Sequence, residues 1–148
     1  MLSTRLKEKK EKLEQLITNL VDESRTGKPI IVEGKKDFEA LRALSVPGQI
    51  VTVKTGKSFL EVTEEIERLN VKEVILLLDF DRRGKEGMHR LQSNLEKSKI
   101  KTNTKFWLQL KGLLGKDIQC IESLTSYMKT LQEKPCKVKF AVETGIDK

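Results

Sequence analysis

Metal-binding soft ligands are nearly missing from this chain, which has one histidine and two cysteines in 148 residues. Cys120 and Cys136 form no Cys-x-x-Cys pair and have no clustered histidine beside them. A zinc site is therefore excluded, because its tetrahedral shell draws on grouped Cys and His. Two reduced thiols are the plain reading. The single histidine, His89, is expected on a helix surface. Aromatic residues make up 5% of the chain, too few for an extended base-stacking platform. No apolar run approaches the roughly 20 residues that span a bilayer. The N-terminus is polar and charged, unlike a signal peptide. A cytoplasmic protein with no membrane partner is expected. A Walker-type phosphate loop is missing too. Gly56-Lys57-Ser58 imitates its end, but Val51, inside an apolar run, holds the place of its first glycine. A local anion-binding loop remains open there, since a glycine and a lysine precede a predicted helix start.

Charge, by contrast, is abundant. Net charge is +7, from 29 basic and 22 acidic side chains. Residues 97–148 carry 11 basic and 5 acidic side chains, a balance of +6, while residues 15–96 stand at −1. A basic excess of this kind suits a polyanionic partner, since lysines near nucleic acid release counterions. The alternative is a lysine-rich solvated surface. The length suits one domain with its own core.

The pattern alternates between helices and strands. Residues 3–25 read as a helix, capped by Ser3 or Thr4, with Leu6, Leu13, Leu16, Ile17 and Leu20 on one face. That stripe docks on the sheet or forms a dimer seam. Pro29 opens a strand, and a helix over residues 36–44 follows. Ile50–Val53 is a second strand. Ser58 and Glu61 form a capping box for a helix reaching Asn70. Val74–Leu78 is a third strand, followed by a helix that starts after Gly84 or Gly87 and ends near Ser98. Ile100–Asn103 is a polar edge strand. Thr104 and Asp117 open two further helices, the second reaching Gln132. The expectation is an α/β fold with a central, mostly parallel four-stranded sheet and helices on both faces. The organisation expected is an N-terminal helix (1–28), the α/β domain (29–132) and a tail (133–148), in which Val138–Val142 either adds a strand or packs loosely.

Two strands end in acids. Val74 to Leu78 has no polar alternation, so it reads as buried on both faces. Asp79 and Asp81 follow it at i and i+2, on one side of an extended chain. Buried strands seldom end in two carboxylates unless a positive partner is present. Oxygen ligands so placed suit a hard cation such as Mg²⁺. The other run, Ile30-Ile31-Val32, ends in Glu33-Gly34. If the two strands are parallel neighbours, Glu33, Asp79 and Asp81 meet at the carboxyl edge, where open α/β sheets bind ligands.

These residues carry a family resemblance. Glu33-Gly34-Lys35-Lys36-Asp37 resembles the Glu-Gly-x-x-Asp signature of Toprim domains. Asp79-Phe80-Asp81-Arg82-Arg83-Gly84 resembles their Asp-x-Asp-x-x-Gly signature. Both occur in order, on strand ends, and the resemblance runs from about Ile30 to Leu124. It is nearest the small stand-alone Toprim proteins of archaea. Relatives with this domain include topoisomerases, bacterial-type primases and the 5S ribosomal RNA maturation nuclease. That nuclease has a Gly-Val-Glu element after its last core strand, which Ile121-Glu122 resembles without the glycine; the alternative for Glu122 is a solvated helix position.

The resemblance implies phosphodiester chemistry on RNA or DNA with one or two Mg²⁺ ions, for which Mn²⁺ can substitute. Asp79 and Asp81 would be metal ligands, and Glu33 a ligand or a general acid or base. Lys35, Lys36, Arg82 and Arg83 would contact phosphate, the arginines otherwise pairing with the acidic cluster. Gly34, Asp37, Gly84 and Glu122 would support the site, Asp37 by accepting backbone N–H groups at its helix start. Topoisomerase strand passage is not expected, because its tyrosine nucleophile normally comes from another domain, which is not expected here; the one tyrosine, Tyr127, lies in a predicted helix. A nuclease is favoured. A non-catalytic nucleic-acid-binding module, within an RNA-processing assembly or a homodimer, and primase-like nucleotidyl transfer stay open.

Overall fold

The computed structural model describes residues 4–54 and 56–139, with side chains described as far as Leu131. Four strands form one sheet: β1 (Ile30–Val32), β2 (Ile50–Thr52), β3 (Glu73–Leu77) and β4 (Lys101–Asn103). Their order is β2-β1-β3-β4, and every pairing is parallel. The expected mostly parallel sheet is thus parallel throughout, with the polar strand β4 at an edge as anticipated. Parallel neighbours need crossovers, and helices supply them. These are α2 (Lys35–Ala43), α3 (Phe59–Arg68) and α4 (Arg82–Lys97).

Right-handed crossovers place α2 on one face and α3 and α4 on the other. α3 and α4 pack together there. The α2 face is completed by α1 (Thr4–Arg25), α5 (Lys105–Leu114) and α6 (Leu124–Lys139), which pack on one another. A single 3₁₀ turn, Ile121–Ser123, precedes α6 and packs on α2. Among the described residues, no helix is long and apolar enough to cross a membrane.

Burial follows the sequence pattern. Val74, Ile75, Leu76, Leu77 and Leu78 are all buried, as a strand covered on both faces requires. Leu13, Ile17 and Leu20 of α1 join the same core, so the α1 stripe docks on its own chain and is not left free as a seam. Ser58 and Glu61 cap α3 reciprocally, Ser58 Oγ accepting from Glu61 N at 3.1 Å and Glu61 Oε1 accepting from Ser58 N at 2.8 Å. This capping box occupies donors that a local anion site at Gly56-Lys57-Ser58 would use, and Lys57 is paired with Glu65 at 2.6 Å.

Several boundaries differ from expectation. β3 stops at Leu77, so Asp79 and Asp81 lie in the loop beyond it. α4 starts at Arg82 and not after Gly84 or Gly87, because the Asp81 side chain caps it by accepting from Gly84 N at 2.8 Å. The helix expected from Asp117 begins later, with the 3₁₀ turn at Ile121. Gln119 lies in a bend instead, its carbonyl accepting from Phe80 N at 2.7 Å, and Cys120 after it is extended. α6 then runs on to Lys139, so a strand from Val138 meets helix at its first two residues. Residues 140–148 lie outside the described residues.

Candidate metal centre

The strand order reverses direction between β1 and β3. The chain leaves β1 for β2 on one side and later reaches β3 and β4 on the other. In open α/β sheets this switch point opens a crevice at the carboxyl ends of the strands. Val32 pairs with Leu77 there, and Glu33 and Asp79 follow at that edge.

Glu33 is well sheltered, its side chain only 13% exposed. Oε2 accepts from the backbone N–H of Asp79 at 3.4 Å. Oε1 lies 3.7 Å from Lys54 Nζ. Lys54 reaches this place because the β1–β2 ladder continues past β2, with Lys54 N donating to Glu33 O at 2.7 Å.

Asp79 carries the most unusual atom of the site. Its Oδ1 is buried and has no hydrogen-bond partner. Buried polar atoms are nearly always satisfied, so an orphaned carboxylate oxygen marks a place for a positive ligand. Burial is the main reason its carboxyl is pushed up to about 7. The nearby carboxylates of Glu33, Asp37 and Asp81 add to this, and Lys54 opposes it. The loop holding Asp79 is pinned. Trp107 Nε1 donates to the Leu78 carbonyl at 2.8 Å, and the Asp79 carbonyl lies 3.4 Å from the same nitrogen. The Trp107 ring stands 5.9 Å from that of buried Phe80. Gly84 comes so close that a Cβ there would lie 2.0 Å from the Asp79 carbonyl oxygen.

Asp81 is exposed, and one of its oxygens is committed to capping α4. Asp37 is buried at the start of α2. Oδ2 accepts from Gly34 N at 3.0 Å, and Oδ1 accepts from Glu122 N at 2.8 Å. Burial pushes its carboxyl above the ordinary range, and those two N–H groups hold it back. Glu122 therefore sits on the rim beside Asp37, in the 3₁₀ turn, not on a long helix.

Two openings flank the acids. One, of about 340 Å³, is lined by Lys35, Lys36, Lys54, Cys120 and Glu122 beside Glu33 and Asp79. The other, of about 320 Å³, lies between α3 and α4 and includes Arg83 with Glu33, Asp79 and Asp81. Arg82 lines neither. It is exposed and pairs with Glu86 at 3.3 Å. Consecutive helical residues point about 100° apart, so Arg83 faces the cavity and Arg82 faces solvent. Among the described residues, the cation paired with an acid of the site is Lys54, beside Glu33. Lysines of residues 97–129 line neither opening.

Sequence reasoning passed over Lys54, Phe59, Arg90 and Trp107. Lys54 carried a signal, since it follows a strand end just as Glu33 does. Arg90 stands seven positions after Arg83, two helical turns on. Trp107 carried none.

Among the described residues, no three His, Cys, Asp or Glu side chains stand close enough to hold a metal on their own. The donors that are present still fit a divalent cation. They are all carboxylate oxygens, one of them buried and unsatisfied. Mg²⁺ is commonly held by one or two carboxylates, with water and phosphate oxygens completing its shell.

An acidic crevice at the switch point of a parallel sheet defines an α/β protein whose ligand site lies at the carboxyl edge of the strands. The Toprim domain model matches residues 27–104, and the chain belongs to the Toprim family. It is 41% identical to a UPF0292 protein of Methanocaldococcus jannaschii, over 80% of this chain and 91% of that one. It is 33% identical to a UPF0292 protein of Methanosarcina barkeri, over 84% and 85%. A solved structure of a protein from Aquifex aeolicus superposes with a TM-score of 0.65 at 29% identity, over 75% of this chain and 96% of that one. The resemblance to small archaeal Toprim proteins is therefore shown. The Toprim domain points in general to nucleic-acid enzymology that depends on divalent metal.

Proposed function

We propose that this protein cleaves phosphodiester bonds of nucleic acid with the aid of a divalent cation, Mg²⁺ or Mn²⁺. The observation that carries the reading is the buried, unpartnered Asp79 Oδ1 beside Glu33 at the switch point. Asp79 and the free oxygen of Asp81 would hold the cation, with Glu33 as a further ligand. A divalent cation, when bound, neutralises phosphate oxygens and lowers the pKa of a bound water.

The chain's own residues supply the rest. Glu33 would move a proton at Oε1, and Lys54 stands 3.7 Å from that oxygen. Lys35 and Lys36, in the first turn of α2, hold phosphate oxygens on one side, and Arg83 does so on the other. Gly34 and Asp37 fix the turn that presents Glu33 and the two lysines. Gly84 lets α4 approach the Asp79 backbone. Glu122 adds a carboxylate at the rim.

A second reading is a binding module that uses the metal to bridge a phosphate without turnover. The cations that line the two openings, Lys35, Lys36 and Arg83, would hold a strand in it without any reaction. The test is a panel of structured and single-stranded RNAs and DNAs, incubated with Mg²⁺ or Mn²⁺. The wild type is expected to cleave at least one member, and Asp79→Asn none. A wild type that binds metal and nucleic acid but leaves the whole panel intact would replace the nuclease with the binding module.

A further inference from the structure

One wall of the cavity between α3 and α4 is built for something other than the metal. α4 turns about every 3.6 residues, so Arg83, Glu86, Gly87 and Arg90 share a face, and all four line the cavity. Gly87 makes the wall thin. A Cβ there would lie 3.2 Å from Leu78 Cδ1 and 3.3 Å from Phe59 Cζ, tighter than ordinary contact. Opposite stands Phe59, the first residue of α3. The Arg90 guanidinium carbon sits 5.2 Å from the Phe59 ring centroid.

Charge pairing leaves this wall cationic. Glu86 is paired with Arg82, and Lys57 with Glu65. Arg83 and Arg90 have no carboxylate partner among the described residues. Arg90 nonetheless lies over the Phe59 ring within cation–π range, a contact that a guanidinium makes readily with an aromatic face. Its donors and its outer face remain available. A guanidinium can grip phosphate with two parallel N–H groups, and its plane can carry an unstacked base. Both properties occur here in one cavity of about 320 Å³ that also contains Asp79. A pocket at the small end of the usual ligand range holds about one nucleotide. A base carried on that plane must be unstacked and splayed out, which a single strand offers and a duplex does not.

We infer that this cavity is a subsite for one nucleotide of a single-stranded segment. Arg83 grips the phosphate next to the one at Asp79, and Arg90, stacked on Phe59, carries the base. That this phosphate neighbours the reacting one rests on the proposed reaction; the pocket itself does not.

The test reads binding, so it needs no turnover. Labelled RNA and DNA oligonucleotides are titrated in Ca²⁺, each as single strand and as blunt duplex, by fluorescence anisotropy. The wild type is expected to prefer single strands. Arg90→Ala should weaken single-strand binding about tenfold or more, the scale of losing one base stack, with little change for duplex. Arg90→Lys keeps the charge but not the plane, and should resemble Arg90→Ala. Arg90 is exposed, so neither change should disturb folding; Phe59→Ala, checked by circular dichroism, should repeat the loss. Loss for RNA alone or DNA alone still supports the subsite. Equal losses for single strand and duplex, or an Arg90→Lys protein that binds like wild type, would overturn it. If the wild type cleaves nothing yet Arg90→Ala loses single strands selectively, the nuclease reading fails and the subsite stands. If the wild type cleaves and Arg90→Ala keeps its KM, the subsite alone fails.

Discussion

The Glu122 backbone N–H donates to Asp37 Oδ1 at 2.8 Å, across 85 positions of sequence. The other oxygen of the same carboxylate accepts from Gly34 N at 3.0 Å. One buried side chain thus ties the turn after β1 to the 3₁₀ turn before α6. The lysine-lined opening is bounded by these two segments.

Asp37→Ala should leave two N–H groups without their acceptor. The expected cost is about 1–3 kcal/mol, the penalty for an unsatisfied buried donor. Asp37→Asn keeps one acceptor oxygen and should cost less. Urea unfolding monitored by circular dichroism measures both. Wild-type stability in Asp37→Ala would mean that the clasp contributes nothing.

The raised Asp79 carboxyl predicts a pH dependence with a definite sign. It titrates at about 7 in the folded chain, against an ordinary 3.8. Between those values the folded state binds more protons than the unfolded state. Stability of the metal-free protein should therefore fall as pH rises from about 4 to about 7, with no further loss from this group above that. Asp79→Asn should flatten the slope. Protons and cation compete for the same oxygens, so apparent Mg²⁺ affinity should rise up to about pH 7 and then level. Chelator-treated unfolding series and calorimetric titrations check the two halves. A slope unchanged in Asp79→Asn would assign the effect to another group.

Gly84→Ala is expected to be severe for so small a change. Its Cβ would fall 2.0 Å from the Asp79 carbonyl oxygen, a backbone atom that cannot swing aside. Either α4 or the Asp79 loop must move, at a cost of about 1–3 kcal/mol or more. Metal binding should weaken as well, because the displaced segment carries Asp79. A variant with normal stability and normal metal affinity would contradict the close packing described above.

Glu33→Gln separates chemistry from binding. The amide preserves shape but neither accepts a proton nor carries charge. Cleavage should fall by about 10²–10⁴-fold, as for loss of a general acid or base. Nucleic-acid affinity should change little, because Lys35, Lys36, Arg83 and Arg90 are untouched. Rate measurements on a cleaved substrate, paired with anisotropy titrations, test this. A large loss of affinity with an unchanged rate constant would make Glu33 a binding residue.

Much of the fold was legible because local rules and the global packing agree. The unbroken apolar run Val74–Leu78 announced a doubly covered strand, and the structure buries all of it. The Ser58–Glu61 capping box was readable from two residues, since it involves only backbone atoms three positions away. The strand ends at Glu33 and Asp79 were readable for a similar reason: apolar runs stop where acids begin. That Asp81 caps α4 was not legible, because the capping depends on a loop geometry that alternation does not encode.

What the sequence by itself determined is therefore periodic and local: strands, caps, and acids at strand ends. Tertiary structure alone decided which cations face those acids. Lys54 reaches Glu33 through the β1–β2 ladder, while Arg82 and Arg83 part company because a helix rotates neighbours by about 100°. It also decided that Trp107, far along the chain, holds the Asp79 loop, and that Asp37 clasps Glu122. Such contacts join residues whose separation in sequence carries no period. They exist only once the sheet order has brought β1, β3 and the segment after α5 to one edge.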